Sequence, residues 1–307
     1  PPRLSRQHEC RRGQVALPAH VPVHTLPNGL RVVVQTSTAA PVAAAYLWLD
    51  VGSADERPEQ TGAAHFLEHL VFKGTARRGV GDAAAEIEGL GGDLNAFTTY
   101  DNTVIHATIG AEHWRQAVDV ITDMAMNSRF DPIELGRERS VVVDEIRGYD
   151  DDPESIVNDA LQARMFPDHA YGRPILGTAR SVQGLQRDDI LAFWRAGYAP
   201  QRAILAVAGP MDAAEVIAAA TELLGDWHGG SSRSPIPLPS APTGFAPHRV
   251  RRRFESATTQ IAWRTPAIGH PDLPALEVLC AAIGQGAAAI LPVKLQLEEG
   301  VTMAVWS

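Results

Sequence analysis

Apolar residues alternate with polar ones, or gather in short β-branched runs, at several places in the first two thirds of the chain. The stretch HTLPNGLRVVVQ contains an Asn-Gly turn before such a run, and VAAAYLWLDVG supplies a second, buried strand. LNAFTTY and TVIHATI, joined by a short turn, predict an antiparallel pair, and AILAVAG predicts a further strand. These runs together predict a mainly antiparallel sheet.

Helical periodicity and capping residues occupy the intervals between these strands. A helix is expected to begin at Thr61, which is a good N-cap, and to end near Gly74. A shorter helix is expected to be capped by Asp82 and closed by Gly91. The remaining helices are expected over residues 112–127, 131–149, 153–166, 188–196 and 213–224. Strands and helices in this order predict an α+β fold in which helices pack on the sheet.

A connector divides the chain into two parts. Residues 229–247 are dense in Gly, Pro and Ser, which is typical of a linker. We therefore expect a complete αβ domain over residues 1–228 and the start of a second, similar domain over residues 248–307. The second domain opens with a strand in ATTQIAWRTPA and a helix in PALEVLCAAIG, an order that indicates repeated αβ units. We expect this second domain to be incomplete in the chain.

Composition and charge exclude several classes of protein. With 45% apolar and 21% charged residues, the chain is typical of a folded globular protein. The net charge of -9 argues against a nucleic-acid-binding surface. The longest apolar run, Val42–Leu49, is far shorter than the ~20 residues of a membrane-spanning helix. Two cysteines, Cys10 and Cys280, are too few for a disulfide framework or a cysteine-ligated metal.

The clearest chemical signal is the stretch TGAAHFLEHLVFK, in which polar residues sit among small and apolar ones. On a helix, His65 and His69 are four residues apart and lie on one face, close enough to bind one metal ion. Glu68 borders that face without having to be a ligand. This HxxEH pattern is the HExxH arrangement of zinc peptidases run backwards. A zinc ion bound here needs a third protein ligand and an open position for water.

The best source of that third ligand is the helix expected after Asp131, because Asp131, Pro132 and Glu134 form a strong helix start. On this helix, Glu138 and Glu145 are two turns apart and therefore point the same way. One of them can bind the metal while the other holds a ligating histidine through a hydrogen bond. The spacing alone does not decide between them.

Four segments of the chain read HFLEHLVFKGT, LNAFTTYDNT, RERSVVVDE and YGRPILGT. Together they resemble the pitrilysin or insulinase family of zinc metallopeptidases. Within that family they are most similar to mitochondrial processing peptidase and its bacterial relatives. The resemblance runs from about residue 22 to the end of the chain.

The resemblance implies a role for each motif residue. His65, His69 and Glu145 would bind one Zn²⁺, and Glu138 would support a ligand from behind. Glu68 would be the general base that takes a proton from water on the zinc. In the family, the strand that matches LNAFTTY lies at the sheet edge and pairs with an extended substrate, so the contact residues would be Asn95, Ala96 and Phe97.

The implied function is a zinc-dependent metalloendopeptidase that hydrolyses extended or unfolded peptides inside a closed chamber. Family members build that chamber from two similar halves. We therefore expect a partner, either a related subunit without the metal motif or a second copy of this chain. The alternative is a non-catalytic scaffold or peptide-binding subunit of a family heterodimer. For location we favour the bacterial periplasm, with the cytoplasm and the mitochondrial matrix left open.

Overall fold

One sheet organises the first part of the chain. The computed structural model describes residues 21–230, 233–237, 239 and 247–307. In these residues the strands are β1 (Val23–Thr25), β2 (Arg31–Thr36), β3 (Val42–Leu49), β4 (Asp93–Thr98), β5 (Thr103–Gly110) and β6 (Ala203–Gly209). Their order across the sheet is β1, β2, β6, β3, β5, β4. Only β2 and β6 run parallel, so the predicted mainly antiparallel sheet is confirmed.

Helices fill the intervals that the sequence predicts. They are α1 (Ala63–Leu70), α2 (Asp82–Glu88), α3 (Trp114–Asn127), α4 (Pro132–Asp150), α5 (Pro153–Met165), α6 (Ala179–Gly184), α7 (Arg187–Gly197), α8 (Ala213–Leu224) and α9 (Leu273–Gly284). The predicted start of α4 is confirmed, because the Asp131 side chain accepts hydrogen bonds from the backbone N–H groups of Ile133 and Glu134. None of the helices in the described part of the chain is long and apolar enough to cross a membrane.

The predicted ends of α1 were wrong. The N-cap is Gly62, with φ of 95°, and not Thr61. The Thr61 hydroxyl points back along the chain and donates a hydrogen bond to the carbonyl of Pro58 at 2.8 Å. The helix also ends at Leu70, before the predicted end near Gly74. The N-cap of α2 is likewise a glycine, Gly81, with Asp82 as the first helical residue.

The hydrophobic core lies between one face of the sheet and the helices. Along β3, the alternate residues Ala43, Ala45, Leu47 and Leu49 are fully buried in this core. The residues between them, such as Tyr46, lie on the opposite face and are partly exposed. This alternation is the period of two that a strand imposes on its side chains. Helices α1 and α3 supply much of the opposing apolar surface.

The described residues divide into two compact units between Thr258 and Thr259. In the second unit, the predicted helix forms as α9, and Pro292–Glu298 form a π-helical segment. The predicted strand over residues 257–267 was wrong, because these residues are irregular. A strand needs a neighbour to pair its backbone groups, and the described residues offer this stretch none.

The predicted domain limits, 1–228, 229–247 and 248–307, stay a prediction. Residues 1–20, 231–232, 238 and 240–246 of these ranges lie outside the described residues.

A buried charge network ties the loop after α1 to α3. The Asp123 carboxylate is fully buried and accepts hydrogen bonds from Thr75 Oγ1 at 2.6 Å and Arg78 Nη1 at 2.7 Å. It also accepts hydrogen bonds from Asn127 Nδ2 at 2.8 Å and Arg77 Nε at 3.1 Å. Burial by itself would raise the pKa of Asp123, but these four donors outweigh it and lower the pKa below its ordinary value.

Replacing Asp123 by Asn is expected to lower the free energy of unfolding by about 3 kcal/mol at neutral pH, because the buried guanidinium of Arg78 loses a charged acceptor. A lowered folded-state pKa means that the carboxylate stabilises the protein above the pKa of an unfolded aspartate and ceases to do so as the pH falls. The difference between natural protein and variant should therefore shrink toward pH 3. Urea unfolding at both pH values measures it. Asp144→Asn, on the exposed side of α4, is the matched control and should cost little.

Candidate metal centre

The N-terminus of α1 is held by a buried carboxylate. Glu56 accepts hydrogen bonds from the backbone N–H groups of Gly62 at 3.0 Å and Ala64 at 2.8 Å. These are donors that the first turn of a helix leaves unpaired. Burial raises the pKa of Glu56 to about 8, although both N–H donors and Arg173 lower it. This anchor sets the position of the helix that carries the HxxEH pattern.

Gly62 is required at this junction for a steric reason. Its φ of 95° lies in the left-handed region that glycine tolerates. A Cβ atom at this position would lie 2.7 Å from the carbonyl oxygen of Leu176 and 2.9 Å from Val182 Cγ2. The chain segment after α5 therefore packs directly against the start of α1.

The two histidines of α1 turn the same ring nitrogen toward one carboxylate. His65 Nε2 lies 3.8 Å from Glu145 Oε1, and His69 Nε2 lies 3.3 Å from Glu145 Oε2. The ligand atoms of the three residues all lie within 4.8 Å of one another. Within the described residues, this is the only group of His, Cys, Asp or Glu side chains arranged closely enough to hold a metal ion.

The second carboxylate of α4 has a different contact. Glu138 is buried, and its Oε1 lies 3.1 Å from His69 Nδ1, the ring nitrogen that faces away from Glu145. Its other oxygen, Oε2, forms an ion pair with Lys73 Nζ at 2.8 Å. The spacing of Glu138 and Glu145 left their roles open. In the structure, only Glu145 faces the Nε2 atoms of both histidines.

The donor set fits a zinc ion. Glu138 faces Nδ1 of His69, so the tautomer protonated at Nδ1 donates to Glu138 and presents a lone pair at Nε2. That lone pair and an oxygen of Glu145, which lies 3.3 Å away, can then bind one cation between them. Tetrahedral zinc with bonds of about 2.0–2.2 Å holds neighbouring ligand atoms about 3.3–3.6 Å apart. The distances of 3.3 and 3.8 Å to Glu145 are close to this range.

The surroundings of His65 favour its neutral form. It is buried, and desolvation together with the nearby His69 lowers its pKa to about 4. A neutral imidazole is the form that binds metals. Its Nδ1 atom is also buried and has no hydrogen-bond partner among the described residues, unlike Nδ1 of His69. Within the part of the chain that the structure describes, a hydrogen bond therefore orients the ring of His69 but not that of His65.

Glu68 lies beside this cluster with a contact of its own. Its Oε2 atom accepts a hydrogen bond from Thr98 Oγ1 at 2.6 Å. Burial raises the pKa of Glu68, the Thr98 hydrogen bond and His69 lower it, and the charge of Glu145 raises it again. The net change is upward, which brings a carboxylate closer to the pKa that suits a general base.

The strand predicted to contact substrate lies at an edge of the sheet. β4 pairs with β5 on one side, and the described residues place no strand on its other side. Leu94 and Ala96 face the core, whereas Asn95 is exposed and Phe97 packs on the opposite face against Trp48. Of the three predicted contact residues, only Ala96 has its side chain on the side of α1. The other two could contact an added strand through their backbone or on the far face.

Sequence reasoning missed three residues that support the site: Glu56, Lys73 and Thr98. Two of them had a usable signal. Lys73 follows His69 by four residues, and Thr98 shares the face of Leu94 and Ala96 because strand side chains alternate. Glu56 had none, because it lies in an irregular segment whose path the local sequence does not define.

Comparison with known families covers almost all of the described chain. Residues 31–179 match the family model described as Insulinase (Peptidase family M16), and residues 184–307 match the model described as Peptidase M16 inactive domain. A relative from Mycobacterium leprae, named an uncharacterized zinc protease, is 38% identical over 288 residues. That alignment covers 92% of this chain and 64% of the relative.

A plant relative and a solved structure extend the comparison. The probable mitochondrial-processing peptidase subunit beta of Arabidopsis thaliana is 34% identical over 265 residues, which are 85% of this chain and 50% of that protein. The chain thus spans half to two thirds of the length of these relatives. The crystal structure of a protease from Helicobacter pylori superposes with a TM-score of 0.80 at 23% identity, over 93% of this chain and 70% of that one. This likeness confirms the predicted α+β fold.

Proposed function

Because this chain belongs to the insulinase family of peptidases, family M16, we propose that it forms the metal-binding part of a zinc-dependent endopeptidase. Its substrates would be extended or unfolded peptides. The observation that carries this proposal is the approach of His65 Nε2 and His69 Nε2 to the Glu145 carboxylate, with Glu68 alongside.

In this proposal each residue of the cluster has one task. His65, His69 and Glu145 hold the ion, and Glu138 orients His69 by accepting a hydrogen bond from its Nδ1–H group. Lys73 in turn neutralises the charge of Glu138. The bound Zn²⁺ supplies Lewis-acid chemistry, which activates water and polarises a peptide carbonyl.

Glu68 moves the protons of the reaction. Its carboxylate takes a proton from the attacking water and then passes it to the nitrogen of the leaving amine. Oε2 accepts the Thr98 hydrogen bond, whereas Oε1 accepts no hydrogen bond from the described residues and is free to receive the proton. Partial burial raises the pKa of this carboxylate, which makes it a better acceptor for the proton of the water.

The edge strand β4 would hold the peptide. A peptide that adds a strand beside Asn95, Ala96 and Phe97 gains backbone hydrogen bonds that depend little on its sequence. The same pairing would bring the peptide past Thr98, which contacts Glu68. This arrangement suits a peptidase that selects substrates by extended shape.

We assign no catalytic residue to positions 184–307. Residues 184–307 match a model described as an inactive domain, and the metal-ligating cluster lies entirely before them. We propose that the enzyme works with a second family subunit, either a homologue without the metal motif or another copy. The name of the Arabidopsis relative, a subunit beta, supports this pairing.

Metal removal tests the function directly. We expect the purified protein, supplied with its partner where one is required, to cleave an unfolded peptide and to lose that activity in a strong zinc chelator. Adding Zn²⁺ back should restore cleavage, and a folded protein offered as substrate should stay intact. If the zinc-loaded protein binds peptide but never cleaves it, the alternative of a non-catalytic or peptide-binding subunit is correct.

A further inference from the structure

A hydrogen bond links the edge strand to the helix that carries the HxxEH pattern. Thr98 Oγ1 donates to Glu68 Oε2 at 2.6 Å, a length typical of a hydroxyl bound to a carboxylate. Thr98 is the last residue of β4, and Glu68 lies in the last turn of α1. The bond therefore joins two elements that are 30 positions apart in the sequence.

The position of the Thr98 hydroxyl is well defined by its surroundings. Thr98 pairs with Thr103 in the ladder between β4 and β5. Thr103 is itself buried, and its hydroxyl donates to the carbonyl of Val51 at 3.0 Å. Because β-branched side chains have few rotamers, a threonine in such a frame presents its hydroxyl in one direction.

The bond leaves Glu68 with one occupied and one open oxygen. Oε2 is occupied by Thr98, and Oε1 has no hydrogen bond within the described residues. A carboxylate without such a partner can rotate about its last torsion, which is broad for glutamate. Because the Thr98 hydrogen bond holds Oε2, rotation of the carboxylate is restricted and Oε1 points in one direction.

We propose that Thr98 is a positioning residue that fixes the carboxylate plane of Glu68, so that Oε1 faces the reacting water. This inference rests on the proposed peptidase function. It also implies that the strand which pairs with the peptide sets the orientation of the base, since Thr98 follows directly after Asn95, Ala96 and Phe97. Orientation of this kind acts on the chemical step and not on peptide binding.

The test compares Thr98→Val with Thr98→Ser in the zinc-loaded protein. Valine has nearly the same shape but no hydroxyl, so kcat for an unfolded peptide should fall by about 10-fold to 100-fold while KM changes by less than about threefold. Serine keeps the hydroxyl and should restore kcat to within about threefold of the natural value. Equal kcat for valine and the natural residue, or an equal loss with serine, would overturn the proposal.

Thr99→Val is the matched control on the next residue. The Thr99 hydroxyl accepts hydrogen bonds from the backbone N–H groups of Asp101 and Asn102 and donates one to the carbonyl of Asn102, all within the turn. We expect this variant to lose some thermal stability but to keep kcat. A comparable fall in kcat for Thr99→Val would mean that the strand end had merely loosened, and the positioning role would be wrong.

A second measurement needs no catalysis. In zinc-free protein, urea unfolding of Thr98→Val, Glu68→Ala and the double variant forms a cycle. The decrease in the urea midpoint of the double variant should be clearly smaller than the sum of the decreases in the two single variants, because each single substitution already removes the same hydrogen bond. Additive losses would overturn the proposal. If the natural protein cleaves no peptide, the proposed function fails, and this cycle still decides whether Thr98 holds Glu68.

Discussion

Replacing Glu68 by Gln is expected to lower peptide cleavage by about 10³-fold or more. The amide keeps the shape of the side chain, and its carbonyl oxygen can still accept the Thr98 hydrogen bond. It cannot accept a proton from water or hand one to the leaving amine. The change thus removes the proposed base and leaves its surroundings in place. Cleavage of an unfolded peptide, followed over long incubation, measures the loss.

Zinc content and peptide affinity of Glu68→Gln should match those of the natural protein. Glu68 is not one of the three residues whose ligand atoms gather around the candidate metal position. Glu88→Gln, an exposed glutamate on α2, is the control and should cleave at the natural rate. Natural activity in Glu68→Gln would show that another group acts as the base. Loss of zinc in that variant would move Glu68 among the metal ligands.

Local pattern predicted the frame of the site well. The family resemblance carried by the HxxEH and downstream motifs is confirmed by the matching family models. The face shared by His65 and His69 followed from helical period alone, and the start of α4 at Asp131 followed from its cap. Both features depend on residues only a few positions apart, so the local sequence is enough to predict them.

Errors arose where distant residues decide the local conformation. Thr61 looked like the cap of α1, but Glu56 binds the first N–H groups of the helix and Leu176 packs against Gly62. The stretch 257–267 has the composition of a strand, but strand formation depends on a partner that the described residues do not supply. In both cases tertiary contacts override local preference.

The division of labour between Glu138 and Glu145 also required three-dimensional information. Two turns of α4 separate them, so their spacing gives both the same direction. The crossing of α1 and α4 decides which one reaches the Nε2 atoms of the histidines and which one reaches Nδ1 of His69. The resemblance to known peptidases implies Glu145 as the ligand, and this assignment stays a prediction that zinc binding can test.

Zinc binding by two α4 variants is expected to separate these roles. Glu145→Gln should lose most of its zinc, because it removes one of the three proposed ligands and the only anionic one. Glu138→Gln should weaken zinc binding by only about 10-fold to 100-fold, since Glu138 contacts a proposed ligand and is not itself one. Elemental analysis after dialysis, with titration against a competing chelator, measures both. Asp144→Asn, which neighbours Glu145 but is exposed, should bind zinc normally.

The comparison of zinc affinity between the two variants is more informative than either value alone, because each substitution by itself can also perturb the helix. A larger loss in Glu138→Gln would reverse the assignment and make Glu145 the supporting carboxylate. Natural affinity in both variants would place the metal elsewhere and remove the basis of the proposed function. A folded natural protein that binds no zinc would favour the scaffold alternative. The predicted order therefore tests, in one assay, the contact of Glu145 with two Nε2 atoms and that of Glu138 with Nδ1.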